Sequence, residues 1–352
     1  LMELGINTFG DAVFDPQTGK TISHAERLQE LVHEMETADR VGLDIFSIGE
    51  HHRDDYAVSA PDVVLAAGAA VTKNIRLSSG VTVLSSDDPV RVYERFSTLD
   101  GISNGRAEIM AGRGSFIESF PLFGYDLNNY DTLFNEKLDL LLTLQKGGKI
   151  NWSGTHRPAL ENAKIFPKTV QNEIPIWIAS GGTPQSAKRA AELGMPLVLA
   201  IIGGSPFQFA RIADFYRQTG AAAGHDKSKL KVATNSHGFI WDTDGEARDL
   251  FFPAISISMT KLGRKRGWGQ YTRETFDNMC DPEGALYVGS PETVARKIIA
   301  LYEHMGIERF TLQTPVGTMP HDQVIKTIEL FGEKVAPLVR DGVTKIKAER
   351  NM

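Results

Sequence analysis

The chain has a single cysteine, Cys280, which excludes an intramolecular disulfide and fits a reducing compartment. Its longest apolar run, from Met195 to Ile202, is far shorter than the roughly 20 residues a membrane helix needs. Nor is there an excess of positive charge. The 38 Lys and Arg stand against 44 Asp and Glu, and a net charge of −6 gathers neither nucleic acid nor anionic lipid. The opening MELGINTF lacks a basic segment followed by an apolar core, so no secretory signal is expected and a cytoplasmic location is. No GxGxxG follows the first strand, and no lysine completes a phosphate loop. No histidine pair stands on strand one, where metal-dependent barrel hydrolases keep theirs. A dinucleotide-binding fold, nucleoside triphosphate hydrolysis and a metal centre therefore each lack their usual sequence support, and no metal ligand is assigned.

What is present is a repeating pattern. Short apolar runs at 3–9, LDIFSIG, IRLSSGVTVL, AEIMAGRG, IPIWIAS, MPLVLAIIG, LKVATNSHGFI and ERFTLQT read as eight strands. Each is followed by a helical pattern. Ser23 with Glu26 forms a capping box, Gly42 ends that helix, and Pro61 and Pro89 open the next two. The segments 147–173 and 242–286 break the repeat. The fold class is α/β, a (β/α)8 TIM barrel with insertions after strands 4 and 7, and a doubly wound sheet is the alternative. One barrel domain is expected over 2–340, followed by a charged tail, 341–352.

Four constellations emerge at strand C-terminal ends, the edge that carries chemistry in such folds. In SGGTPQS, residues Ser180, Gly181 and Gly182 end a strand, and Thr183 and Ser186 lie in the first turn of the next helix. Converging backbone N–H groups there suit a phosphate; the alternative is an ordinary turn capped by Thr183. Arg113, between Gly112 and Gly114, can bind a phosphate bidentately or form a salt bridge with Glu118 or Glu50. Glu50, His51 and His52 end strand two, and alternation lets only one of the histidines face the barrel mouth squarely. His237 ends strand seven and can reach the same cavity. The basic stretch Lys261 to Tyr271 is either a solvated loop or a lid that stacks Trp268 or Tyr271 on a planar ligand.

The run SSGVTVLSSDDPVRVYERFSTLDGISNGRAEIMAGRG, preceded by GEHH and followed by PLFGYD, resembles the bacterial luciferase-like, flavin-dependent oxidoreductases. The resemblance implies a (β/α)8 barrel with FMN, or less favourably a deazaflavin, at its C-terminal mouth, and a homodimer or higher homo-oligomer. It makes His51 the catalytic histidine and gives Gly80–Val81 a bulge under the flavin ring, often with a cis bond. Arg113, Thr183 and Ser186 become phosphate ligands. Gly182 stands where luciferase has an acidic residue, and Gly112 where it has a cysteine, so luminescence is not expected. The implied activity is a monooxygenase that uses reduced FMN and O2 on a small organic substrate, with or without a separate reductase to supply the reduced FMN. An NAD(P)H-linked flavin reductase, a deazaflavin-dependent dehydrogenase and a non-catalytic flavin-binding protein are the alternatives.

Overall fold

Apolar strands that alternate with amphipathic helices bury both faces when the strands close on themselves and the helices form an outer ring. The structure, a computed structural model, describes residues 1–114 and 116–352; Ser115, in the loop expected after the fourth strand, lies outside them. The barrel strands are β1 (Glu3–Thr8), β2 (Ile45–Ile48), β3 (Arg76–Ser79, continued by Thr82–Val83) and β4 (Ala107–Gly112). They continue with β5 (Ile176–Ser180), β6 (Leu197–Ala200), β7 (Val232–Ile240) and β8 (Arg309–Gln313). Every neighbouring pair is parallel, and closure comes from β8 against β1 (Asn7 opposite Gln313) and β4 against β5 (Ala111 opposite Ile178).

The outer ring comprises α1 (His24–Arg40), α2 (Pro61–Val71), α3 (Pro89–Ile102), α4 (Tyr130–Leu144), α5 (Pro184–Leu193), α6 (Ala210–Ala222), α7 (Pro291–Met305) and α8 (His321–Leu330). Ser23 accepts from the Glu26 amide at the start of α1, and Gly42 takes φ +78° just beyond its end. The inward face of α2 is Leu65, Gly68 and Ala69, while Val63 and Val71 point outward. Both insertions are present. The first carries an antiparallel hairpin of Ile150–Trp152 with Leu160–Ala163, and a short helix, Ser119–Phe123, lies before α4 in the loop that follows β4. The second carries helices Asp244–Arg266 and Arg273–Cys280 and a strand, Tyr287–Gly289, that pairs with the end of β7. The basic stretch expected as a loop is helical as far as Arg266, because its cations complement the C-terminal end of that helix dipole before Gly267 caps it at φ +71°. After α8 a short π-turn, Phe331–Val335, leads into a helix over Ala336–Arg350, so most of the expected tail is helical, with Val343 buried. No helix of the described residues is long and apolar enough to cross a membrane.

Inside the barrel, side chains stack in layers. At the N-terminal end Arg309 bridges Glu108 (2.9 Å) and Glu3 (3.2 Å), with its guanidinium 4.3 Å above the Trp177 ring. Above it, Met110, Trp177, Val198 and Ala233 form an apolar plug. The next layer is polar: Asn7 donates to Ser47 (2.6 Å), Thr311 to Asn235 (2.7 Å) and Asn235 to Gln313 (2.9 Å). These two ion-paired and hydrogen-bonded layers close the barrel floor and leave only its C-terminal mouth open.

Candidate active site

A cavity of about 320 Å³ fills that mouth. Met110 and Val198 of the plug and Asn7 and Asn235 of the polar layer line it, as do Gly80 and Val81 at the break in β3. Ser78 pairs with Glu108 and Thr82 with Ala111, so β3 spends one residue more than β4 over this interval, which is a bulge. The peptide bond that the resemblance singles out, Gly80–Val81, is cis. A side chain at position 80 would have its Cβ only 2.5 Å from Asn7 Nδ2 and 3.1 Å from Ser47, which is why a glycine stands there. Gly112 has a similar reason, since a Cβ would lie 2.8 Å from Val81 Cγ1.

At one end of the cavity two guanidiniums converge with a helix N-terminus. Arg113 follows β4, stacks 4.7 Å over the Tyr130 ring and pairs with the exposed carboxylate of Asp131 at the start of α4. Its sequence-expected partners are elsewhere: Glu118 binds Arg53, and Glu50 binds His52. Arg189 reaches the same wall from α5, 5.1 Å over the Phe134 ring, and burial together with the adjacent Arg113 charge holds its pKa below the usual arginine range. Thr183 caps α5, accepting from the Ser186 amide, and its hydroxyl lies 2.8 Å from that of Ser186. Ser180, Gly181, Thr183 and Ser186 all line the cavity. Gly182 does not; its amide donates to Ser180 Oγ (3.1 Å) and its φ is +101°.

His51, just beyond β2, lines the same cavity. Its ring packs 4.4 Å from Phe9, 4.4 Å from Tyr56 and 5.4 Å from Phe116, and Nδ1 is buried with no hydrogen-bond partner. Burial pushes its pKa down to about 4, so the imidazole is neutral near pH 7. Glu50 does not orient it. Glu50 lines the cavity too, but its Oε2 pairs with His52 Nε2 at 2.6 Å while Oε1 accepts from the Val83 amide. Asp54 does not orient it either; its backbone carbonyl meets His24 Nε2.

The remaining sequence candidates lie off the cavity wall. His52 lines a small adjoining recess with Phe116 and Glu118, and His237 stands half-buried opposite Gln313. Trp268 is half-exposed under Arg266, and Tyr271 packs on Phe252 with its hydroxyl 3.5 Å from Met279 Sδ. Among the wall residues that escaped the sequence reading, three carry strong hydrogen-bonding groups: Arg189, Asn7 and Asn235. Arg189 follows Ser186 by one helical turn on the same face, a spacing that could have exposed it. Asn7 and Asn235 are amides in otherwise apolar strands, and Asn7 Oδ1 is buried without a donor.

The match to protein families decides the identity. The model described as luciferase-like monooxygenase aligns with residues 2–309. The chain belongs to that family. Luciferase-like monooxygenases are flavin-dependent oxidoreductases, and flavin binding and redox activity follow for this member in that general form. Among its relatives is the N-acetyl-S-alkylcysteine monooxygenase of Bacillus subtilis (strain 168), 27% identical over 322 residues, covering 87% of this chain and 92% of that protein. The monooxygenase RslO1 from Streptomyces bottropensis superposes with a TM-score of 0.81 at 24% identity, over 96% of this chain and 99% of that one. The oxygenating constituent of 3,6-diketocamphane monooxygenase from Pseudomonas putida, a type II Baeyer-Villiger enzyme in complex with FMN, gives a TM-score of 0.77 at 21% identity, again over 96% and 99%. Both superpositions establish the luciferase-like barrel architecture.

Two histidines whose Nδ1 atoms are buried without partners make stability pH-dependent. His51 and His237 are both pushed down to about 4 by burial, against 6.5 when exposed. A depressed histidine pKa means the unfolded chain takes up the proton first, so this stability is fully present above pH 6.5 and is lost as pH falls toward 4. Thermal melts between pH 7 and pH 4.5 should show a falling Tm, and His237→Gln should remove part of that fall. An identical fall in the variant contradicts the assignment for His237.

Proposed function

We propose that the protein is a non-luminescent monooxygenase that binds reduced FMN and uses O2 to oxygenate a small organic substrate. The observation that carries this reading is the convergence of Arg113, Arg189 and the start of α5 on the wall of a cavity that a secluded neutral histidine also lines. The residues fit a flavin. Arg113 Nε, Asn7 Oδ1 and His51 Nδ1 are buried polar atoms without partners, spread along the cavity as a ligand with one anionic end and a polar-edged ring requires.

In this reading Arg113, Arg189, Thr183 and Ser186 hold the phosphate, and Gly80, Val81 and Gly112 support the ring plane. Ser180 and Gly181 shape the wall between them, while Gly182 contributes only the turn. Phe9, Tyr56 and Phe116 keep bulk water from His51, whose imidazole nitrogen accepts a proton from the reacting centre. An anion formed beside it would draw its pKa back up by Coulomb attraction. Bound reduced flavin supplies the electrons and the oxygen chemistry. A separate reductase delivers the reduced FMN, and the enzyme works in the cytoplasm as a homodimer. Paired guanidiniums favour the terminal phosphate monoester of FMN over a deazaflavin, whose tail continues past its phosphate as a diester.

Equilibrium titration tests the ligand assignment. Wild type binds FMN more tightly than riboflavin or a deazaflavin, and Arg189→Ala weakens FMN by about 10-fold while leaving riboflavin unchanged, the scale of one charge-assisted contact. Equal affinity of the wild type for FMN and riboflavin contradicts the phosphate site.

A further inference from the structure

Away from the mouth, α1 and α8 carry four side chains whose donor atoms face one another. Glu30, His33 and Glu34 are spaced by three and four residues on α1 and so share a face. Opposite them His321 is the first residue of α8. Its Nδ1 lies 3.7 Å from Glu30 Oε2 and 3.7 Å from Glu34 Oε2, and that nitrogen is buried with no hydrogen-bond partner. Its Nε2 is 2.8 Å from His33 Nδ1. From the far side the buried Arg27 donates to both oxygens of Glu34 and to Glu30 Oε1 (3.4 Å).

One proton lies between the two imidazoles. If His321 donates it, the Nδ1 lone pair faces two carboxylate oxygens. If His321 accepts there, its Nδ1–H points at oxygens beyond hydrogen-bond length. Neither arrangement satisfies Nδ1. A cation at the centre of the three atoms satisfies them all. Donors on a tetrahedral ion with bonds of about 2.0–2.2 Å stand about 3.3–3.6 Å apart; here the histidine nitrogen stands 3.7 Å from each carboxylate oxygen, and the donor atoms all lie within 4.8 Å of one another. The formal charge agrees, since one guanidinium faces two carboxylates.

We propose that Glu30, Glu34 and His321 bind one divalent transition-metal ion of the zinc class. His33 accepts from His321 Nε2 and fixes its tautomer, and Arg27 sets the orientation of both carboxylates. Water completes the fourth position. The ion would tie the first helix of the ring to the helix that follows the last strand, so its effect falls on stability and not on turnover.

The test uses the full untagged chain, stripped with a chelator and titrated with Co²⁺ and then Zn²⁺. One Co²⁺ per chain is expected, with visible absorption of a tetrahedral nitrogen-oxygen site that Zn²⁺ abolishes, and Tm rises with Zn²⁺. His321→Ala should weaken binding by about 10²-fold or more, and His33→Ala by about 10-fold, the range for an outer partner. Glu30→Gln keeps shape and volume, and should weaken binding as His321→Ala does even if the latter folds poorly. Wild type that takes up no Co²⁺, or variants that take it up as well as wild type, would overturn the site and leave a plain histidine pair.

Discussion

His51→Ala should lower oxygenation by roughly 10²-fold or more, the usual scale for removing a positioned acid or base, while flavin affinity stays within a few-fold. The second half follows from topology: His51 follows β2 whereas Arg113 follows β4 and α5 follows β5, and its ring sits within an aromatic cage of Phe9, Tyr56 and Phe116. Removing the ring leaves the phosphate contacts intact. The assay compares His51→Ala with His52→Ala and His237→Ala, using reduced FMN and a substrate found by screening. His52 is committed to Glu50 and His237 lies off the cavity wall, so both variants should retain most activity. A loss confined to His52→Ala would shift the assignment one residue along the chain and reverse the alternation at the end of β2.

Arg113→Ala should weaken FMN by about 10- to 10²-fold and riboflavin hardly at all, because the guanidinium recognises only the phosphate. Arg113→Lys should recover part of the loss, since it restores the charge without the planar fork. Asp131 sharpens this prediction. It holds Arg113 in the free protein, so a phosphate must displace an exposed carboxylate, and Asp131→Asn should tighten FMN modestly. Equal weakening of FMN and riboflavin by Arg113→Ala would place the phosphate elsewhere. The combined loss in Arg113→Ala/Arg189→Ala should fall short of the sum of the singles, as both act on one anion.

The architecture was legible because a parallel strand buried on both faces leaves an apolar run that turn residues bracket, and eight such runs alternate with helices. The site was legible only where local chemistry marks it. Arg113 between two glycines and the SGGTPQS turn stand out on the chain, and both reach the cavity. Arg189 does not stand out, because an arginine in a helix looks like a solvated one until the helix is rotated against the barrel. His51 and His52 could not be told apart by composition; register decided it, when Glu50 took His52 across two residues. The basic end of the helix Asp244–Arg266 looked like a loop, and the three residues of Tyr287–Gly289 were too few to show a period. His33 and His321 are 288 residues apart, so nothing short of the fold could join them.

The central claim is that the mouth holds reduced FMN and lets it meet O2 under the protein's control. Anaerobic titration with reduced FMN, followed by rapid mixing with aerated buffer, tests it most directly. The account predicts saturable binding of reduced FMN that Arg113→Ala abolishes at the same concentrations. After mixing, a species spectrally distinct from both reduced and oxidised flavin should persist far longer than in free solution, because the cavity excludes water. Reoxidation at the rate of free flavin, or tighter binding of a deazaflavin with no reaction toward O2, would contradict it.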